Sequence, residues 1–553
     1  AASGVAVRYT TRLDPGANTF TITIHGTITG SIDDATGANT QQARVAAAAT
    51  EAGSTITLDN RGTVAGARSL DADVRNSGTI EVGERGVVDS TQIAGNLVQT
   101  SAGRTVVDVD LADNAADTLV VAGDATLDGA VRVAPLTLLP GRSADFLSVG
   151  GALQGGLEAE ASPIFRYAVE TTGNTGTISV ASADFRTPAA SGSDNQREVA
   201  RHLQAAWDDG NVERLGTFFA TLDSQASAGA YGSTLSDLSL GVAAAPAARR
   251  QATMLGFADG LSSCPVFEDG TAVLREDACM WARVAGSRAD QGSDNGASGF
   301  DEDAISYQLG AQWEVSPDWF LGLAAAYRRD WFDSDDGRSS SDGDSAFAGV
   351  SLKRHWGAWQ VGGVLSGGYG WYDTTRKISI PGFSGKADSE PELQNVGLRV
   401  RAAYNWGREK LYVRPYVDLD AIYTRQPSYD ESGAGDLNLD VRSSDQWSLV
   451  ATPSVEVGGR VAVGETNTLR PYARLGLALS NQDDWTSKAR LAAAPGGADG
   501  FDSSVPMDEV TTKVGAGLQL DTQRGLELRL QYDGQFSSNL TSHGGSLRIA
   551  LPF

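Results

Sequence analysis

The chain closes on LTSHGGSLRIALPF (540–553), in which Leu547, Ile549, Leu551 and Phe553 alternate with Ser546, Arg548 and Ala550. Successive side chains of a β-strand point to opposite faces, so the spacing predicts a strand with one apolar and one polar face. The strand stops on an aromatic residue with no polar tail. An apolar medium on one side and a polar space on the other suit it best, as in a barrel that crosses a membrane. The same alternation runs back to Trp281. Tyr307, Leu309, Ala311, Trp313 and Val315 share a face, as do Val396, Leu398, Val400, Ala402 and Tyr404, and Leu526, Leu528, Leu530 and Tyr532. Twelve strands are expected between 281 and 553.

Charge decides which face looks inward. Arg399, Arg401, Asp418, Asp420, Glu456, Arg474 and Arg529 fall on the faces opposite the apolar ones. An arginine turned to lipid near the midplane costs about 2–4 kcal/mol, and a one-residue slip would turn out every one of them. Several such costs exceed the roughly 5–15 kcal/mol that holds a typical fold, so these charges are expected to line the lumen. Connections alternate in length. Ser316-Pro317-Asp318, Arg354-His355-Trp356-Gly357, Gly407-Arg408-Glu409 and Gln523-Arg524 are short; 289–303, 330–344, 373–391, 426–445 and 481–508 are long and polar. Short turns at one rim and long loops at the other are a barrel asymmetry. Trp281, Trp313, Trp319, Trp356, Trp359, Trp406 and Trp447 sit near strand ends, as aromatic girdles do.

Upstream the pattern differs. FTITIHGTITG (20–30), STITLDNRGTVAG (54–66), VRNSGTIEVGERGVV (74–88) and DTLVVAGDATLDGAVRV (117–133) are short strand-like runs bounded by turn residues. The echo of LDNRGTVAG in VRNSGTIEVG, about 17 residues on, points to a stacked right-handed β-helix over 1–186. Longer strands from about 97 to 186 are expected to cap it, since a solenoid needs capped ends. After TPAASGSD (187–194) the period becomes helical: Val199, Leu203 and Trp207, then Val212, Leu215, Phe219 and Leu222, then Leu235, Leu238 and Val242. The final piece, AARRQATMLGFADGL (247–261), is rich in small residues and slim enough for a barrel lumen. Arg249 and Arg250 on it are expected to pair with Asp418, Asp420 and Glu456 and hold it as a plug. A helical linker over 187–262 and a barrel domain over 263–553 complete the expected organisation: all-β, with one α-helical element.

The 553 residues contain no apolar run of about 18, so no transmembrane helix is expected. A net charge of -25 argues against nucleic acid as a partner. The only cysteines, Cys264 and Cys279, are spaced for a disulfide and hence for an oxidising compartment; closing that loop is worth roughly 3 kcal/mol. The chain begins at Ala1 without Met or leader, which suggests a processed or truncated product. No hydrolase or metalloprotease signature and no phosphate-binding glycine loop occurs, and the four histidines are dispersed. The acidic clusters Asp333–Asp336 and Asp342–Asp344 read as a solvated loop rather than a calcium site. Neither an enzyme, a cofactor nor a metal is expected in these residues.

MWARVAGSRADQGSD at the barrel start, LRPYARLGLAL (469–479) and YDGQFSSNLTSHGGSLRIALPF at the end resemble the type V secretion autotransporters, with Tyr532, Gly534, Phe536 and Phe553 matching their closing strands. GNLVQTSAGRTVVDVD and ADTLVVAGDATLDGAV resemble the autochaperone region of that family. The resemblance implies an outer-membrane translocator that exports its own β-helical passenger to the cell surface. It implies barrel-assembly machinery that reads the strand ending in Phe553, periplasmic chaperones, outer-membrane lipid as partner, and a monomer. The family's self-cleaving members use an asparagine in the lumen helix; 247–261 has none, so an intact chain is expected. Two alternatives remain open: a surface adhesin whose passenger binds a host or neighbouring-cell ligand, and the remnant of a larger protein with an enzymatic passenger upstream of Ala1.

Overall fold

A computed structural model describes residues 8–9, 19–24, 27–29 and 55–553, apart from 226, 262–263, 268–270, 295–297, 465–466 and 524. Ala1, parts of the 20–30 run and Arg524 lie outside the described residues. The chain folds as two compact units, one of 1–190, 200–232 and 493–499, the other of 191–199, 233–492 and 500–553.

The first unit is a β-solenoid of about four turns, its strands stacked in parallel in three sheets. One sheet runs through Thr55–Asn60, Asp73–Asn76, Leu97–Gln99, Ala125–Leu127 and Leu153–Gly155. Inside it the amides stack. Asn60 Nδ2 donates to Asn76 Oδ1 at 2.8 Å, and Asn76 Nδ2 to Gln99 Oε1 at 2.9 Å. All three side chains are buried, and this bonding offsets the cost of burying them. The steps between them are 16 and 23 residues. The coils lengthen, which is why the repeat read near 60 and 76 fades further on. At one corner Asp73, Asn96 and Asp124 each accept from a backbone N–H of the next coil. Glycine is required there: a Cβ on Gly123 would lie 2.4 Å from Asn96 Oδ1.

The cap is shorter than the 97–186 expected from the sequence. Parallel pairing persists to Glu158–Ala159. Apart from the short antiparallel bridge of Ala115–Ala116 to Val109 and Asp110, antiparallel pairing there is confined to the hairpin Phe165–Thr172 and Thr175–Ala183, which closes the third sheet against Ser143–Val149. Valine-rich runs such as Arg104–Asp110 suit a stacked coil as well as a hairpin, so composition does not separate the two.

Asp117 is buried between coils and accepts from the backbone N–H groups of Asp89 at 2.7 Å and Asp108 at 2.8 Å. Burial raises its carboxyl to about 7, against the pull of those donors. The unfolded value is near 3.9, so the folded state holds the extra proton between about 4 and 7. Its contribution is therefore full below about 4 and is lost as the pH rises through 7. The solenoid is expected to melt higher at pH 5 than at pH 8 in near-ultraviolet dichroism, and Asp117→Asn is expected to flatten that difference. An unchanged pH profile in the variant would exclude Asp117 as its source.

The second unit is built on twelve antiparallel strands that close on themselves. The first, Cys279–Gln291, pairs with the last, Leu540–Pro552, from Cys279 opposite Pro552 to Gln291 opposite Leu540. Several strands exceed the 9–11 residues that span a bilayer: the fourth runs Ser339–Trp356 and the fifth Trp359–Ile380. They carry on into segments expected as loops. Of 330–344 only the turn 335–338 remains, and 373–391 is largely strand, extended by Phe383–Ser389. Polar residues hide these extensions in the sequence because the strands there stand clear of hydrocarbon. Segments of the long loops, Tyr429–Asp430, Leu439–Val441, Asp484–Leu491 and Phe501–Pro506, form a separate four-stranded sheet.

Candidate functional site: the barrel lumen

The outer face is apolar and unpacked: Leu309, Leu398, Leu530, Leu547, Ile549, Leu551 and Phe553 are all exposed, Leu309 at 65% and Phe553 at 60%. Most of the tryptophans read as a girdle also face out, with Trp356 71% and Trp406 60% exposed. Trp281 does not. It alternates inward with Cys279 and is buried beneath the Arg548 guanidinium, 5.1 Å from its ring centre.

Every charge assigned to the lumen lies on the inner face, but the pairing differs from that expected. Arg399 Nε meets Asp420 Oδ1 at 2.7 Å, Arg401 Nε meets Asp418 Oδ1 at 2.6 Å, and Arg470 meets Glu456 at 2.5 Å. Arg474 pairs with Asp533 at 2.8 Å and Arg529 with Glu527 at 3.0 Å. The wall thus neutralises Asp418, Asp420 and Glu456 from its own strands, and none of them holds Arg249 or Arg250. Cross-strand neighbours are already within reach: Arg399 stands opposite Asp420 and Arg401 opposite Asp418. A helix side chain would have to displace them.

The helix Arg250–Leu261 runs inside this wall. Met254, Leu255, Phe257, Ala258 and Leu261 pack with Ala324, Phe347, Val364 and Ile422. The close approach depends on glycines in the strands: a Cβ on Gly349 would lie 2.7 Å from Leu261 Cδ1, and one on Gly397 3.0 Å from Met254 Cε. Three polar anchors fix it. Arg249 Nε donates to Glu302 Oε2 at 2.6 Å, and Glu302 also holds Arg328 at 2.5 Å. Arg250 donates to Ser345 Oγ at 2.8 Å and to Asn395 Oδ1, with its guanidinium over the Phe347 ring. Asp259 receives Arg399 Nη1 at 2.5 Å and Arg401 Nη2 at 3.1 Å. Glu302, Asn395 and Asp259 were not singled out in the sequence. Glu302 precedes the first clean stretch of alternation, and nothing in the helical spacing of 247–261 marks Asp259 as an acceptor.

Further side chains pack at each end of the lumen. At the short-turn end, Glu276 receives Lys353 Nζ at 2.6 Å, Gln312 and Gln360 at 3.0 Å and the Cys264 backbone N–H at 3.0 Å. Cys264 and Cys279 are joined as a disulfide, their Cα atoms 6.4 Å apart. Ala272, Leu274, Tyr412 and Tyr472 cluster beside it. At the long-loop end, Arg376 holds Glu431 at 2.5 Å and 2.9 Å and donates to the Asp237 carbonyl. Trp485 and Val505, from the loop sheet, pack with Val242 and the alanines at 244, 245, 247 and 248. Among the described residues, no group of three His, Cys, Asp or Glu side chains is placed to hold a metal ion.

An apolar exterior, a charged and hydrogen-bonded interior and a slim helix threaded through it define an outer-membrane β-barrel of the translocator class. Residues 280–533 match the family model of the autotransporter β-domain, and this part of the chain is an autotransporter translocator domain of the outer membrane. The chain is similar to an extracellular serine protease of Serratia marcescens, 24% identical over 285 residues that make up 49% of this chain and 25% of the relative. It thus spans about a quarter of the length of the curated relatives it matches. It is also similar to the translocator domain of NalP from Neisseria meningitidis (14% identity, 57% of this chain and 98% of that one, TM-score 0.43). A further likeness is to the β domain of the Bordetella autotransporter BrkA (15% identity, 50% of this chain and 100% of that one, TM-score 0.37).

Proposed function

We propose that the barrel exports the segment N-terminal to it and then retains the helix Arg250–Leu261 as a plug, leaving the solenoid displayed at the cell surface. The observation that carries this reading is the fit of the helix: glycines opposite Met254 and Leu261, and Glu302, Asn395 and Arg399 opposite its polar groups. In functional terms the chain divides into a displayed part over 1–186, a helical linker over 187–262 and a translocator over 263–553. A stacked coil folded outside cannot re-enter so narrow a lumen, so folding biases export without nucleotide. Outer-membrane lipid contacts the exposed leucines, and barrel-assembly machinery and periplasmic chaperones handle the chain before insertion. Cell fractionation with unboiled and boiled gels tests the barrel, and external protease on whole cells tests the display. Recovery in the soluble fraction, or a solenoid shielded from protease in intact cells, would overturn it.

That the Serratia relatives are extracellular serine proteases favours one elaboration. The exported part of the whole protein includes an enzymatic segment upstream of Ala1, which the translocator carries without taking part in its chemistry. An open reading frame that begins just before Ala1 would remove this elaboration and leave the export reading intact.

Arg249→Glu with Arg250→Glu is expected to raise conductance in planar bilayers severalfold. Two carboxylates would face Glu302, the partner of Arg249, and Asp330, a wall carboxylate that interacts with Arg250, and like charges in that setting push the helix from its seat. Conductance equal to that of the unmodified chain would show that these anchors do not hold the plug.

A further inference from the structure

The lumen helix leans to one side. It runs beside the third, fourth, fifth and seventh strands. Along the other side, where the first strand meets the last strands of the barrel, a cavity of about 260 Å³ remains open. It reaches from Pro265 near the short-turn rim to Gln535 and Ser542 toward the long loops. Its lining carries ten arginine and lysine side chains against five aspartates and glutamates. On the open wall the imbalance is sharper. Arg283 and Arg474 share Asp533, at 3.7 and 2.8 Å. Arg529 and Arg548 share Glu527, at 3.0 and 2.9 Å. Lys513 adds a further cation to the same lining. Five cations of these strands therefore stand over two carboxylates of their own, with Asp259 of the helix as the further carboxylate facing Lys513, Arg474 and Arg283, in a chain whose net charge is -25.

We propose that this crevice passes small inorganic anions in preference to cations while the helix is in place. Clustered arginine and lysine side chains lower the barrier for anions in a narrow polar pore, and the low-dielectric walls concentrate their field. The excess is local and opposes the charge of the whole chain, so it acts within the lumen rather than over the surface. Beside the helix the excess is smaller, because Arg399 and Arg401 there face Asp259, Asp418 and Asp420.

The inference rests on the barrel being a membrane pore, and the test separates the two. The intact chain is reconstituted in planar bilayers under a KCl gradient, and its insertion is verified by heat-dependent gel mobility. The reversal potential is expected to shift toward the chloride equilibrium, with a chloride-to-potassium permeability ratio on the order of 3 or more. Lys513→Glu reduces the excess on the open wall from three charges to one and is expected to lower that ratio about two-fold, with Lys513→Gln falling between. An inserted barrel that prefers potassium, that passes no current, or whose ratio ignores both Lys513 variants overturns the proposal. A chain that fails to insert at all overturns the pore reading instead.

Discussion

Glu276→Ala is expected to lower the temperature at which the folded barrel loses its fast gel mobility, through a loss of about 3–5 kcal/mol. Lys353 and Glu276 are both almost fully buried, with side-chain exposures of 4% and 2%. Removal of the carboxylate leaves an ammonium in the lumen with its direct counter-ion gone. The Gln360 amide loses its acceptor at the same moment, and that of Gln312 keeps only the Asp277 carbonyl. The segment that carries Glu276 also joins the helix to the first strand, so its release loosens the short-turn end of the lumen. A double change, Glu276→Gln with Lys353→Met, is expected to recover most of the loss, because a buried ion pair and an uncharged replacement of similar volume are often of equal stability. An unshifted midpoint in Glu276→Ala would show that water, not Glu276, solvates Lys353. A double variant as weak as the single one would show that shape rather than charge sets the effect.

The barrel was legible because its physical constraint is periodic. Lipid on one face and water on the other impose a period of two, and residues such as Tyr307 to Val315 and Val396 to Tyr404 keep it without a break. Helical stripes such as Val199, Leu203 and Trp207 were readable for the same reason, and the structure places them on the helix Asp194–Asp209. What escaped was set by contact rather than by period. The partners of Arg249 and Arg250 depend on which acidic residue the wall has left unclaimed, and nothing in the spacing of Asp418 and Asp420 shows that Arg401 and Arg399 already hold them. Glycines 349 and 397 look like ordinary strand glycines until the helix is beside them. Trp281 read as a girdle residue because its distance from the strand end was right, while its parity with Cys279 pointed inward.

The end of the solenoid offers the second large effect. Phe165, Phe185, Trp207 and Phe219 form one aromatic cluster, with ring centres 5.6 Å apart for Phe165 and Phe185, 5.3 Å for Phe165 and Trp207, and 5.1 Å for Trp207 and Phe219. Phe165, Phe185 and Phe219 have no exposed surface. The helix Gly216–Asp223 is tied there by its own backbone too, the Leu138 N–H donating to the Gly216 carbonyl at 3.0 Å. Phe219→Ala empties the middle of this cluster and is expected to cost about 3–5 kcal/mol. A solenoid depends on each coil being covered by its neighbour and on its terminal coil being capped. The loss is thus expected to spread along the stack from the capped end rather than stay local. In limited proteolysis of the purified chain, cleavage should appear first in the coils nearest the cap, while the unboiled barrel keeps its mobility. Phe219→Leu, which retains most of the volume, should lose less than about 1.5 kcal/mol. A protease pattern in Phe219→Ala identical to that of the parent chain would mean that the cluster only decorates the solenoid. Simultaneous loss of the barrel would mean that the two units do not melt separately, and the cap could then no longer be treated as the seat of the solenoid's stability alone.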